Sequence, residues 1–177
     1  MDDTADGRAR RRAYVAQANG GSLKNRRRTG DFLDSIGNPQ LLDVKFDETA
    51  DYHAKIRYTI PLAWCHSFDP DQPIGTEDGD RNIPVVQGGL IGSCLDNAMT
   101  TACRVASGER FQTTLTMTVE FLREMRPGNV YALTRASMIG GTVGFAEVTV
   151  YRDEACTHAV AKGSSTSKLR KPSSPRL

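Results

Sequence analysis

The chain has 177 residues, of which 38% are hydrophobic and 25% charged, and these values fit one globular domain with a substantial core. The formal net charge is +2 at pH 7, but residues 1–28 hold eight Arg and Lys against three Asp, and the last sixteen residues hold five basic residues and no acid. No apolar run approaches the roughly 18 residues needed to span a bilayer, and the Arg-rich start lacks the apolar segment of a secretory signal. We therefore expect a cytoplasmic protein without a membrane span.

Both ends of the chain are basic and polar. Residues 1–25 predict a disordered basic arm and residues 169–177 a disordered tail, on either side of one domain at 26–168. The arm could contact nucleic acid, anionic lipid or a polyanionic cofactor, or it is simply solvated. Only Tyr14 is interleaved with its arginines, which disfavours nucleic acid as a partner.

The first predicted elements are a short helix and two strands. Thr29 can cap a helix that carries Phe32, Leu33 and Ile36 at helical spacing and ends at Gly37-Asn38-Pro39. Apolar and polar residues then alternate over 42–46 and 52–60, which predicts two strands joined by a hairpin turn at 47–51. Residues 66–84 are rich in Asp, Pro and Gly and predict a long excursion.

One long helix and a strand meander complete the domain. Residues 87–106, QGGLIGSCLDNAMTTACRVA, are nearly all small or apolar, so this helix is expected to be buried around most of its circumference. Four strands are predicted after it, at 113–121, 129–138, 143–152 and 156–167. About six antiparallel strands can cover a single long helix only if their sheet curls around it, which predicts an α+β fold.

Two segments carry a resemblance to a known family. QGGLIGSCLDNAMTTA, followed by TTLTMTVEFLREMRPG, resembles the signature of the hotdog-fold acyl-CoA thioesterases of the phenylacetate-degradation and 4-hydroxybenzoyl-CoA thioesterase kind. The resemblance implies the hotdog fold, hydrolysis of acyl-CoA or acyl-carrier thioesters, and coenzyme A as part of the substrate with no further cofactor. It spans about residues 85–167.

The resemblance also implies a set of site residues. Asp96 would be the nucleophile or the base that activates water, Gly88 would offer its backbone N–H to the developing oxyanion, and Thr100 would hold the carboxylate or the water. Thr114, from the partner subunit, would be a further active-site contact, and Gly89, Asn82 and Asn97 are predicted to bind the substrate with it. Three positions depart from the family pattern: Gln87 replaces a His, Arg81 with the adjacent Asn82 replaces an Asn or Gln, and Gly141 stands where a basic residue often reaches the CoA nucleotide.

The residue types support this site independently, although each has a structural alternative. A carboxylate amid the apolar residues of a buried helix needs either a partner, such as Thr100 or Asn97, or a function. Gly88 and Gly89 either pack closely or leave free N–H groups at a positive helix end. Gln87 either donates a hydrogen bond to the thioester oxygen or caps the helix.

Other functions remain open at this level. A hotdog dehydratase or hydratase needs a catalytic His, and none lies on or beside the helix; a non-catalytic acyl-CoA sensor or a degenerate member is the second alternative. No Gly-x-Ser-x-Gly elbow, phosphate loop or metal-like spacing of Cys and His is present. An exposed sheet edge in a single protomer predicts a homodimer or homotetramer with shared active sites.

Overall fold

The computed structural model describes residues 9, 12–16, 38–66, 68–75, 82–108 and 112–170. The helix predicted over 29–36 and Arg81 lie outside these residues, as do most of the predicted arm and tail, so the predicted domain boundaries stay predictions. Residues 12–16 are helical. The Tyr14 ring packs edge-on against Phe46, with the ring centroids 5.6 Å apart.

Six antiparallel strands form the main sheet in the described part of the chain. The strands are β1 Gln40–Val44, β2 Ala54–Ile60, β5 Gln112–Phe121, β6 Gly128–Ile139, β7 Val143–Tyr151 and β8 Ala159–Leu169. Their spatial order is β1-β2-β6-β7-β8-β5, so β1 and β5 are the edges. All six follow the predicted strands within a few residues, and the turn predicted at 47–51 lies between β1 and β2.

The central helix, Gly88–Ala106, packs against the inner face of this curled sheet. Its buried side chains are small or apolar, and Leu95, Ala98 and Met99 are completely inaccessible. On the side that faces β2, the buried Tyr58 hydroxyl donates a hydrogen bond of 2.8 Å to Asn97 Oδ1. This bond fixes the rotation of the helix about its axis. The predicted architecture, one long helix covered by a curled sheet of six strands, is confirmed.

The excursion after β2 contains structure that the sequence pattern did not predict. A 3-10 turn at Leu62–Trp64 leads into β3, Cys65–His66, which pairs antiparallel with β4, Val85–Val86, just before the central helix. Two-residue strands are too short to show a periodic pattern. Asn82 closes the described part of the loop, because its side-chain amide donates to the carbonyls of Asp69, Gln72 and Pro73 at 3.0–3.1 Å.

Among the described residues, no helix has the length and apolar character needed to cross a membrane.

A buried histidine next to the core makes stability depend on pH. His53 is 1% exposed, and its Nδ1 accepts a hydrogen bond of 3.0 Å from the Ala136 N–H. Its Nε2 has no partner among the described residues. Burial, followed by the charge of Arg135, lowers the pKa of His53, although Asp47 and Glu48 oppose the shift.

We expect acid to destabilise the protein through His53. The unfolded chain takes up a proton near pH 6.5 whereas the folded chain resists it, so this contribution to stability is complete above about pH 6.5 and is lost as the pH falls toward the lowered value. Thermal unfolding measured between pH 7.5 and 5 should show a falling Tm, by about 2–4 °C for each kcal/mol lost. His53→Asn, which keeps an acceptor for Ala136, should flatten this dependence, whereas the exposed control His66→Asn should not. Equal slopes for wild type and His53→Asn would contradict the assignment.

Candidate active site

A cleft of about 610 Å³ opens along the N-terminal half of the central helix. One wall is the helix and the other is the edge strand β5. The lining residues are Gly88, Gly89, Gly92, Ser93, Asp96, Thr114, Met117, Val119 and Phe121. Gly88, Gly89, Asp96 and Thr114, which the sequence singled out, therefore meet in one cleft.

The carboxylate of Asp96 is half-buried and lines this cleft from the helix wall. Thr114 Oγ1, on β5 of the same chain, donates a hydrogen bond of 2.6 Å to Asp96 Oδ1. The contact needs no second subunit, unlike the placement of Thr114 that the family resemblance implied. A hydroxyl donor holds one carboxylate oxygen, and no hydrogen bond from a described residue occupies the other.

The N-terminus of the helix forms one end of the cleft. The side chain of Gln87 caps the helix by accepting the Leu90 N–H at 3.1 Å. The cap uses Oε1 alone, and the other role, donation of a hydrogen bond to the thioester oxygen, stays a prediction. Neither the Gly88 nor the Gly89 N–H has an acceptor among the described residues, as expected for the first positions of a helix. A Cβ on Gly89 would lie 2.9 Å from Gln87 Oε1, so a larger residue at this position would displace the end of the Gln87 side chain.

The opposite wall is apolar and open to solvent. Met117, Val119 and Phe121 alternate along β5, and Phe121 remains 56% exposed although it is aromatic. Its ring lies over the helix N-terminus, because a Cβ built on Gly88 would be 3.2 Å from Phe121 Cζ. An exposed apolar face beside a carboxylate and two free N–H groups is typical of a binding cleft for a largely apolar ligand.

Four residues predicted for the site do not line the cleft: Gln87, Asn82, Asn97 and Thr100. Asn97 is engaged by Tyr58 on the side that faces the sheet. The backbone carbonyl of Thr100 accepts a hydrogen bond from the side chain of Gln112, the first residue of β5. Asn82 holds the loop after β3. Conversely, sequence analysis did not single out Ser93, Met117 or Phe121, because a helix serine and alternating strand residues carry no distinctive signal.

The family comparison concerns the part of the chain that builds this cleft. Residues 84–157 match the family model described as the thioesterase superfamily. The matched segment includes all nine lining residues of the cleft. The resemblance to hotdog thioesterases that the sequence motifs predicted is thereby confirmed over this segment. No curated protein matches the sequence of the chain.

Solved structures of thioesterase-like proteins share the fold. A putative thioesterase of Ralstonia eutropha JMP134, related to phenylacetic acid degradation, is similar with a TM-score of 0.59 and 17% identity, covering 88% of this chain and 98% of that one. The Escherichia coli PaaI protein from the phenylacetic acid degradation operon is similar with a TM-score of 0.58 and 15% identity, covering 90% of this chain and 98% of that one. Zebra fish thioesterase superfamily member 2 is similar with a TM-score of 0.58 and 15% identity, covering 89% of this chain and 94% of that one. At these identities the likeness establishes the hotdog fold.

Proposed function

We propose that the protein hydrolyses acyl-CoA or acyl-carrier thioesters, with Asp96 as the catalytic carboxylate. The observation that carries this proposal is the position of Asp96, which opens into an apolar cleft with one oxygen held by Thr114 and the other open to a ligand. A carboxylate at an apolar surface is suited to activate a nucleophile next to an apolar acyl group. The match to the thioesterase superfamily over the residues of the cleft supports the same reaction.

The chemistry follows from these groups. A water bound to Asp96 adds to the carbonyl carbon of the thioester and gives one proton to the carboxylate. The carbonyl oxygen becomes an oxyanion, and when the C=O bond re-forms, the C–S bond breaks and its electron pair leaves on sulfur. The thiolate then takes the proton from Asp96, so the products are a free acid and a free thiol.

The oxyanion requires donors, and the free N–H groups at the helix N-terminus provide them. Gly88 and Gly89 have no Cβ, so a substrate can approach these N–H groups closely. The positive end of the helix dipole adds to the stabilisation of a developing negative charge.

Helix geometry supports an active site shared between two chains. Gly88 and Asp96 are eight residues apart on one helix, and therefore about 12 Å apart along its axis. The oxyanion must lie about 3 Å from its N–H donor, and the attacking water must lie about 3 Å from the carbonyl carbon. The directions of these two contacts form a bent angle at the carbonyl group, so together they span less than about 12 Å. One carbonyl group thus cannot contact both groups of the same chain.

The edge strand β5 offers a way to combine them. Near one end of this strand Thr114 contacts Asp96, the proposed base, and near the other end Phe121 lies over Gly88, the proposed oxyanion donor. A two-fold axis that pairs β5 antiparallel with β5 of a second copy brings the Thr114 end of one chain beside the Phe121 end of the other, with the strands about 4.8 Å apart. Asp96 then faces Gly88 of the second copy. A homodimer is the minimum for this arrangement, and a tetramer of two such dimers preserves it.

The substrate is a thioester whose acyl group lies on the apolar wall formed by Met117, Val119 and Phe121. No histidine lines the cleft among the described residues, which argues against the dehydratase or hydratase alternative. We place the reaction in the cytoplasm, because Cys65, Cys94, Cys103 and Cys156 are all free thiols.

The proposal is tested by measuring thiol release from short, medium, long and aromatic acyl-CoAs by the wild-type protein. We expect turnover of at least one substrate well above the rate without protein. If acyl-CoAs bind by calorimetry but no thiol is released from any of them, the chain is an acyl-CoA-binding protein and the enzymatic proposal fails.

A further inference from the structure

The cleft has few polar side chains, and each has a limited number of hydrogen-bond donors and acceptors. Among the described lining residues, only Ser93, Asp96 and Thr114 have polar side chains. The Thr114 hydroxyl donates its one proton to Asp96 Oδ1 and keeps its lone pairs as acceptors, so Thr114 is the alternative to Ser93 for holding a water. The facing wall of Met117, Val119 and Phe121 offers no polar side chain.

Ser93 lies one helical turn before Asp96, on the same side of the helix. It is half-buried, and its Oγ donates a hydrogen bond of 3.3 Å to the carbonyl of Gly89. Since the single hydroxyl proton is directed at Gly89, the lone pairs of Ser93 Oγ remain as acceptors. Ser93 therefore presents an acceptor in the cleft one helical turn from Asp96.

A water that attacks a carbonyl must present a lone pair to the carbon, so both of its hydrogens need acceptors. We propose that Ser93 is a catalytic residue that holds this water together with Asp96. One hydrogen is donated to the second carboxylate oxygen of Asp96 and the other to Ser93 Oγ, which leaves a lone pair of the water free to attack the thioester. This inference rests on the proposed thioesterase function and adds the residue that orients the nucleophile.

The test compares Ser93→Ala with Ser93→Thr, in chains whose folding is checked by thermal unfolding. Ser93→Ala removes the acceptor from a helix position that favours alanine, and kcat should fall about tenfold, the effect of one lost hydrogen bond, while KM changes less than twofold. Ser93→Thr keeps the hydroxyl and should retain kcat within about threefold. A purely structural role would instead lower Tm without this split between kcat and KM.

Two results would overturn the inference while leaving the thioesterase intact. One is an unchanged kcat in Ser93→Ala together with a large loss in Thr114→Val, which would make Thr114 the second holder of the water. The other is incorporation of solvent ¹⁸O into Asp96 during turnover, measured by mass spectrometry, since this shows that the carboxylate attacks the carbonyl itself. If the wild-type protein releases no thiol from any acyl-CoA, the proposed function fails first.

Discussion

Replacing Asp96 by asparagine is expected to lower kcat for thioester hydrolysis by about 10²–10⁴-fold, the usual contribution of a positioned general base. Asparagine has nearly the same shape, and its side-chain oxygen can still accept the Thr114 hydroxyl that now bonds Asp96 Oδ1 at 2.6 Å. The amide cannot take a proton from water, so the chemical step is lost while substrate binding survives. Steady-state thiol release, with acyl-CoA affinity measured separately, separates these two effects.

Glu120→Gln is the matched control for this variant. Glu120 also lies on β5, but on the opposite face of the sheet, where it pairs with Lys162 at 2.9 Å. Removing its charge changes the protein by the same unit without touching the cleft, so kcat should stay within about twofold, because exposed ion pairs contribute little. Equal turnover by wild type and Asp96→Asn, both folded, would show that another group carries the chemistry.

Substituting Gly88 by proline is expected to lower kcat by about 10²–10³-fold, the cost of removing one oxyanion donor. Gly88 is the first residue of the central helix, where proline is well tolerated and lacks only an N–H that has no helical partner. Gln87 before it already has an extended backbone, with φ −66 and ψ 129, as a residue before proline requires. The helix should therefore form normally, with one donor fewer.

Gly88→Ala serves as the control for the added bulk. Alanine introduces the same Cβ, 3.2 Å from Phe121 Cζ, and the ring at the end of a flexible side chain can move aside. It keeps the N–H, so most of kcat should remain even if KM rises. If the alanine and proline variants lose the same kcat, the ring displacement causes the loss and Gly88 is not an oxyanion donor.

The fold could be predicted from the sequence because its signals are periodic and long. The strands that became β2, β5 and β7 alternate over seven or more residues, and the run from Gly88 to Ala106 is apolar enough to specify a covered helix. The β3–β4 pair escaped prediction because two-residue strands have no period. The helix predicted over 29–36 falls outside the described residues and stays a prediction.

The site was predicted only in part, and for a different reason. Gly88, Gly89 and Asp96 stand out by residue type and spacing, and the structure brings them to one cleft. Asn97 is adjacent to Asp96 in sequence, but one residue along a helix turns a side chain by about 100°, which directs it to Tyr58 instead. Thr100 lies one helical turn from Asp96 but does not line the cleft. Helical spacing alone therefore does not identify the residues that line the cleft together with Asp96.

The apolar wall could not be recognised from its pattern. Met117, Val119 and Phe121 alternate like the inner face of any half-buried strand. Only the position of β5 at the edge of the sheet leaves this face open and turns a core pattern into a cleft wall. Sequence periodicity reports which residues share a face, and the order of strands in the sheet decides what covers that face.

The central claim is that a thioester is hydrolysed between Asp96 of one chain and the helix N-terminus of a second, and mixing two inactive variants tests it most directly. Asp96→Asn and Gly88→Pro chains are unfolded together, refolded in equal amounts and assayed for thiol release. Half of the resulting dimers are hybrids, and each hybrid has one intact site, so about a quarter of wild-type activity should return. Mixtures that contain hybrid dimers by native mass spectrometry but release no thiol would contradict the shared site.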